Sequence, residues 1–175
     1  MMKNDPDPSP ASAPAGVDIG ISLLSLDWNQ ALPDVEAICE QAAFAALEAG
    51  GFRAEAAELS LVLADDALLH QLNRDWRGFD KPTNVLSFPG GDIPPPGAPL
   101  LLGDVILSFE TMSREAIVQK KQLADHLRHL VIHGVLHLLG FDHEDTAEAE
   151  IMESLEVRIL AGFGIADPYR EAVHG

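Results

Sequence analysis

The chain lacks the features of several common classes of protein. It has a single cysteine, Cys39, so it can form no internal disulfide and is not a disulfide-stabilised secreted scaffold. No apolar run approaches the roughly 18 residues that a membrane-spanning helix needs. The opening segment "MMKNDPDPSPASAPAG" lacks the apolar core of a secretion signal. These absences predict a cytoplasmic protein without a membrane partner, in which Cys39 is a small buried side chain.

Basic residues are also scarce. Lys and Arg number 11 against 28 Asp and Glu, which gives a formal net charge of −17. Because non-specific nucleic-acid binding comes from neutralising phosphates with Lys and Arg, a broad polyanion-binding surface is not expected. Two local clusters, "RDWRGFDK" (74–81) and "REAIVQKK" (114–121), still allow a locally basic groove.

The pattern of apolar residues predicts a single α+β domain. We expect a disordered N-terminal tail at 1–16, one domain over 17–165 and an irregular C-terminal tail at 166–175. Alternating or continuous apolar runs predict strands at 17–26, 57–65, 84–88 and 101–109. Helical spacing predicts helices at 33–51, 65–76, 110–122, 123–140 and 146–164. Strands come early and helices late, which favours a small mixed β-sheet of about four strands covered by helices.

The segment "HGVLHLLGFDH" (133–143) has the spacing of a helix-borne metal site. His133 and His137 are four residues apart, so both imidazoles lie on one helix face, one turn apart. Gly140 can end the helix in a left-handed conformation, after which the chain can bring His143 to the same point. Three imidazoles with an open fourth position are typical of a catalytic Zn²⁺ site. The sequence therefore predicts a zincin-like metal helix with one zinc ion, although imidazole ligands also suit Ni, Cu or Fe.

Neighbouring residues leave alternatives open. His129 is four residues before His133 and makes a rival pair, but that pair has no glycine-assisted third ligand. We therefore interpret His129 and His126 as packed or supporting histidines. Asp142 is a candidate catalytic residue, because it could orient a ligand imidazole or take a proton. A simple turn aspartate is an equally good interpretation of Asp142.

One residue that zinc proteases require is absent. Their H-E-x-x-H motif has a glutamate directly after the first histidine as general base, and this chain has Gly134 there. The spacing of the histidines supports a zinc metallohydrolase of the protease type, and Gly134 opposes it.

Three motifs together resemble those of the YbeY family of bacterial rRNA maturation endoribonucleases. They are "HGVLHLLGFDH", "LNRDWRGFDKPTNVLSFP" (72–89) and "LGDVILS" (102–108). The resemblance implies an α+β metal-dependent hydrolase that binds zinc through His133, His137 and His143 and has its functional arginine at Arg77. It implies single-strand-specific RNA cleavage in maturation of the 16S rRNA 3′ end and in ribosome quality control. Because the chain is so acidic, recruitment by a ribosomal protein or an assembly GTPase of the small subunit is also expected.

The chemistry of such a site fits the residues around Arg77. A guanidinium can form two parallel hydrogen bonds to one phosphate. The nucleophile is then either a zinc-activated water or the 2′-hydroxyl of the RNA. Trp76 and Phe79 could stack bases but are expected to belong to the core. Thr83 and Ser87 could bond a phosphate, but a structural bond to backbone is the first expectation. A further alternative is a ribosome-assembly factor in which the zinc is mainly structural.

Overall fold

The computed structural model describes residues 16–52, 56–91, 94–142 and 144–169. Its elements follow the order β1 (Val17–Leu23), α1 (Asp27–Ala31), α2 (Val35–Ala49), β2 (Ala57–Ala64), α3 (Asp66–Arg77), β3 (Val85–Pro89), β4 (Leu100–Ser108), α4 (Phe109–Val118), α5 (Leu123–Leu138) and α6 (Thr146–Gly162). Apart from Gly16, the predicted disordered tail at 1–16 lies outside the described residues. Of the predicted tail at 166–175, residues 166–169 are described, and they form no helix or strand.

The four strands form one mixed sheet in the order β1-β2-β4-β3. β1, β2 and β4 run parallel, and β3 is an edge strand that pairs antiparallel with β4. Parallel neighbours need crossover connections, which explains the helices between β1 and β2 and between β2 and β4. The prediction of an α+β fold with a four-stranded mixed sheet is confirmed.

The core lies mainly on one face of the sheet. Leu59, Leu61 and Leu63 alternate along β2 and are buried there, as their spacing predicts, against residues of α2, α5 and α6. The other face carries a smaller cluster in which Leu69 of α3 meets Leu86 of β3. The sheet edge at β3 therefore lies between α5 on one face and α3 on the other.

Two details of the N-terminal half differ from the predictions. β1 ends at Leu23 rather than at residue 26, and the short helix α1 follows it. Within α1, Trp28 is fully buried, donates its indole N–H to the carbonyl of Ala64 at 2.9 Å and meets the Phe109 ring edge-on at 5.2 Å. A helix of five residues is too short to show a helical period, so the pattern of apolar residues could not reveal it.

Cys39 is buried in α2 as expected. Burial, together with the nearby charges of Glu36 and Glu40, raises the pKa of its thiol to about 12, so the side chain remains a neutral thiol that packs in the core.

Close packing of α5 on the sheet depends on Gly134. A Cβ at this position would lie 2.6 Å from Cγ1 of Val105 and 3.1 Å from Oγ of Ser87. The hydroxyl of Ser87 donates to the carbonyl of Gly134 at 2.9 Å, so the structural role expected for Ser87 is confirmed. Gly140 has φ of +100°, which confirms that a left-handed glycine follows the end of α5.

Candidate metal centre

Helix α5 presents the first two predicted metal ligands side by side. The ring centroids of His133 and His137 are 4.7 Å apart with an interplanar angle of 80°, and both side chains are partly buried. Both line the same groove of about 660 Å³. His143 lies outside the described residues, so its role as the third ligand stays a prediction.

Behind these histidines lies a buried carboxylate that the motif did not reveal. Glu156 of α6 is fully buried, and its two oxygens have different partners. Oε2 lies 2.7 Å from Nδ1 of His133, and Oε1 lies 2.8 Å from Nε2 of His129. The hydroxyl of Tyr169 also donates to Oε1. One carboxylate therefore joins α5, α6 and the segment after α6.

The charge of Glu156 determines the direction of these hydrogen bonds. Burial alone would raise the pKa of Glu156, but the hydrogen bonds from His129 and His133 outweigh it and bring the pKa from 4.5 to about 2. An ionised carboxylate only accepts, so the imidazole of His133, in the neutral form that metal binding requires, carries its hydrogen on Nδ1. Its lone pair is then on Nε2, which is the usual arrangement of a metal-binding histidine supported by a carboxylate. This donor set fits a divalent metal such as zinc.

Sequence reasoning missed both Glu156 and Tyr169. Tyr169 falls in the segment predicted to be an irregular tail. A signal for Glu156 does exist, because Met152, Leu155 and Ile159 form the buried stripe of α6, and residue 156 falls within the same helical spacing. An acidic residue at a core-facing position needs a buried partner, which is a reason to search for a histidine.

His126 supports a different part of the groove. It is buried, and its Nε2 lies 2.9 Å from Oε1 of Glu115. The same carboxylate accepts from Nδ2 of Asn84 at 3.0 Å, and Asn84 lines the groove. Burial opposes ionisation of Glu115, but the hydrogen bonds from His126 and Asn84 outweigh it and lower the pKa. His126 and His129 each have a carboxylate partner, as packed or supporting histidines would have, and the interpretation that His129 is not a metal ligand stays a prediction.

The two candidate catalytic residues line the groove of the histidine pair. Arg77 is the last residue of α3, where Gly78 ends the helix with φ of +78°. Asp142 follows α5 and is partly buried. The structure thus brings Arg77 and Asp142 to the same groove as His133 and His137. Thr83 also lines the groove, and its role stays a prediction.

Asp142 also belongs to an acidic cluster. Ligand oxygens of Asp142, Glu144 and Glu148 lie within 4.8 Å of one another, which is close enough to share a cation. Glu148 is exposed, and the negative charge of Asp145 is the main cause of its raised pKa. Asp145 itself accepts from the backbone N–H of Glu148 at 2.8 Å and so caps α6.

The prediction that Trp76 and Phe79 belong to the core is wrong. The side chain of Trp76 is 71% exposed and that of Phe79 is 49% exposed. Helix α3 packs on the sheet through Leu69, with Leu68 and Leu72 partly buried beside it, and its C-terminal end reaches the edge strand β3. Trp76 contacts Phe88 edge-on, with ring centroids 6.0 Å apart, but the sheet ends there and does not cover it.

An α+β fold that presents a helix-borne histidine pair and an arginine to one groove is typical of metal-dependent hydrolases. Comparison with known proteins gives the family. The family model described as Endoribonuclease YbeY matches residues 26–164. Endoribonuclease YbeY of Paramagnetospirillum magneticum is 56% identical over 159 residues, which cover 89% of this chain and 97% of that protein. The protein of the same name from Azorhizobium caulinodans is 53% identical over 154 residues, 87% of this chain and 97% of that one.

The chain therefore belongs to the YbeY endoribonuclease family, a class of RNA-cleaving hydrolases, as its three motifs predict. A more distant likeness is the solution structure of TM1509 from Thermotoga maritima. Its TM-score is 0.49 at 21% identity, over 83% of this chain and 91% of that one. Within the residues that the structure describes, no helix is long and apolar enough to cross a membrane.

Proposed function

We propose that this protein is a zinc-dependent, single-strand-specific endoribonuclease of the cytoplasm. Its proposed task is maturation of the 16S rRNA 3′ end and ribosome quality control. The observation that carries the proposal is the meeting of His133, His137 and Arg77 in one groove, in a member of an endoribonuclease family. The groove combines residues of metal-binding and phosphate-binding chemistry.

His133, His137 and the predicted ligand His143 would hold one zinc ion. Imidazole is a preferred zinc ligand, and the hydrogen bond from His133 to ionised Glu156 makes the remaining ring nitrogen a better donor. Lewis acidity at a phosphoryl oxygen is the chemistry that zinc supplies when bound.

The other groove residues act on the RNA directly. The guanidinium of Arg77 can pair with two phosphate oxygens and stabilise the charge that develops during cleavage. Asp142 is the carboxylate that we propose for moving the proton, since Gly134 leaves no side chain at the position of the protease glutamate. The proton comes from water or from the 2′-hydroxyl of the RNA.

Recruitment by a partner protein would compensate for the weak RNA affinity that an acidic chain implies. A chain of net charge −17 repels the RNA backbone outside the groove, so little affinity comes from non-specific electrostatics. We therefore include a ribosomal protein or an assembly GTPase of the small subunit among the partners. Such a partner would bring the groove to a single-stranded 3′ extension.

The decisive experiment joins metal analysis to an RNA cleavage assay. Wild type is expected to hold about one zinc per chain and to cleave a precursor rRNA with a single-stranded 3′ extension. His137→Ala should keep its circular dichroism spectrum and lose both metal and cleavage. His70→Ala is the control for metal content, because His70 lies outside the groove and bonds Asp80 at 2.7 Å.

Undiminished cleavage by a verified metal-free protein would overturn the zinc mechanism. Cleavage of peptides without cleavage of RNA would instead favour a protease-type enzyme. Rescue of rRNA maturation by a folded, zinc-depleted protein would favour the assembly-factor alternative.

A further inference from the structure

Two exposed aromatic side chains flank Arg77, which lines the groove, along the chain. Trp76 and Phe79 are 71% and 49% exposed, and they are separated by only two residues of chain. We call these two side chains the aromatic shelf. Large aromatic groups that remain exposed together on a soluble protein usually mark a contact surface, because exposing them to water costs free energy.

The shelf is held in place by its surroundings. Trp76 is anchored to the sheet edge by its edge-on contact with Phe88, whose ring packs in the cluster under α3. The turn that carries Phe79 is braced by two hydrogen bonds of Asn73. Its carbonyl accepts from the N–H of Phe79 at 3.2 Å, and its buried side chain donates to the carbonyl of Lys81 at 2.8 Å.

Arg77 connects the shelf to the groove. Its guanidinium carbon lies 5.2 Å from the centroid of the Phe79 ring, within the range of a cation–π contact. Arg77 also lines the groove of the histidine pair. A ligand whose phosphate is held at Arg77 would therefore have its next residues beside the shelf.

The charge of this segment matches that kind of ligand. Arg74, Arg77 and Lys81 are three of the chain's 11 basic residues and fall within the eight positions 74–81. Asp75, paired with Arg74 at 3.2 Å, and Asp80 leave this segment with a net charge of +1 in a chain of net charge −17. Aromatic faces next to cations are the usual means of binding single-stranded nucleic acid, in which the cations contact phosphates and the rings stack on bases. A second copy of this chain would bring its own Trp76 and Phe79, but also the same cations Arg74, Arg77 and Lys81, which repel one another across a two-fold contact.

We propose that Trp76 and Phe79 form a base-stacking subsite for unpaired nucleobases of the RNA strand that passes Arg77. This inference rests on the proposed endoribonuclease function and deepens it. Bases in a duplex are already stacked on their neighbours, so the subsite favours single-stranded RNA. Every base has a π-face, so the stacking subsite favours no particular base.

The two tryptophans of the chain make the test direct. Trp28 is fully buried and its N–H is bonded to Ala64, so a ligand that stacks at the surface affects only Trp76. The probe is a 2′-O-methyl phosphorothioate oligo(U), which resists cleavage, added to the zinc-loaded protein at fixed salt. Tryptophan fluorescence and fluorescence anisotropy of labelled RNA are followed together. Quenching of the wild type by the single strand, and far less by a duplex of the same length, is expected.

Substitutions should change this response in a defined order. Trp76→Leu is expected to abolish the quenching and to weaken binding about tenfold or more, and Phe79→Leu to weaken it similarly. Trp76→Phe keeps an aromatic face and should retain most of the affinity. The matched control is Ile117→Ala, because Ile117 is 78% exposed at the end of α4 and does not line the groove. Its binding should equal that of wild type.

The outcomes separate this inference from the proposed function. If the Trp76→Leu/Phe79→Leu double variant binds and cleaves single-stranded RNA like wild type, the subsite is refuted and the nuclease proposal stands. If wild type neither binds nor cleaves RNA, both fail. If the double variant loses only a concentration-dependent self-association seen by sedimentation, the shelf is an interface between copies and the subsite is refuted.

Discussion

The buried carboxylate of Glu156 accepts the Nδ1 hydrogen of His133 at 2.7 Å. This bond fixes both the orientation and the tautomer of an imidazole on the face of α5 that also carries His137. The second oxygen of the same carboxylate is bonded to His129 and Tyr169, so the side chain of Glu156 has little freedom to turn. Helix α6 thus controls the orientation of His133, a predicted metal ligand on the neighbouring helix α5.

Glu156→Gln is expected to weaken zinc binding by about 10- to 100-fold. The amide has one acceptor oxygen instead of two, so it can satisfy His129 or His133 but not both. Chelator competition measures the affinity. Glu150→Gln on the exposed side of α6 is the control and should bind zinc like wild type. Thermal unfolding of the metal-free proteins shows whether the fold is intact, and unchanged affinity of a folded Glu156→Gln protein would contradict the positioning role.

The parts of the site that the sequence predicts are those set by local geometry. A spacing of four residues puts His133 and His137 on one helix face whatever the rest of the fold does. Glu156 lies 23 residues from His133 along the chain, and the two meet only because α5 and α6 pack together. Such a tertiary pairing has no local signature, apart from an acidic residue on a buried helix stripe.

In the fold, too, the features that depend on local sequence were predictable, and those that depend on tertiary packing were not. Four strands and their mixed sheet follow from the apolar runs and the order of elements. Burial of Trp76 does not follow from its apolar character, because it depends on how far the sheet extends beneath α3. The sheet ends at β3, and Trp76 lies just beyond Phe88 at that edge.

Tyr169 should titrate at a higher pH than a free tyrosine. Burial raises the pKa of its phenol, and the hydrogen bond to Glu156 and the charge of that carboxylate raise it further. The unfolded chain ionises near pH 10 while the folded chain remains protonated, so this contribution to stability is intact below about pH 10 and is lost as pH rises above it. The chain has one tyrosine, so absorbance at 295 nm reports on it alone.

Tyr169→Phe is the control for this titration, and it should abolish the absorbance change and lessen the alkaline loss of stability. A phenolate signal with a midpoint near pH 10 in the folded protein would show that Glu156 and Tyr169 do not interact as described.

Arg77→Glu is expected to lower the rate of RNA cleavage by about 100-fold or more and to leave the zinc content unchanged. The reason is that a carboxylate would repel the phosphate that the guanidinium holds. Arg77→Lys retains the charge without the bidentate geometry, so its cleavage rate should fall between those of wild type and Arg77→Glu. Single-turnover cleavage rates and metal analysis make the distinction. Arg158→Glu, an exposed charge reversal on α6 away from the groove, is the control, and an equal loss there would indicate a general charge effect.

Gly134→Ala is expected to lower the free energy of unfolding by about 1–3 kcal/mol, because the new Cβ would lie 2.6 Å from Cγ1 of Val105 in a packed interface. Urea unfolding measures this, and Gly162→Ala is the control, since a Cβ at that helical position meets nothing within 4 Å.

Gly134→Glu should destabilise the protein more and confer no peptidase activity. A stable Gly134→Glu protein that cleaved peptides would show that packing does not exclude the protease glutamate. Its failure to fold would mean that packing against Val105 and Ser87 excludes the protease glutamate from this position, which leaves Asp142 as the proposed proton acceptor.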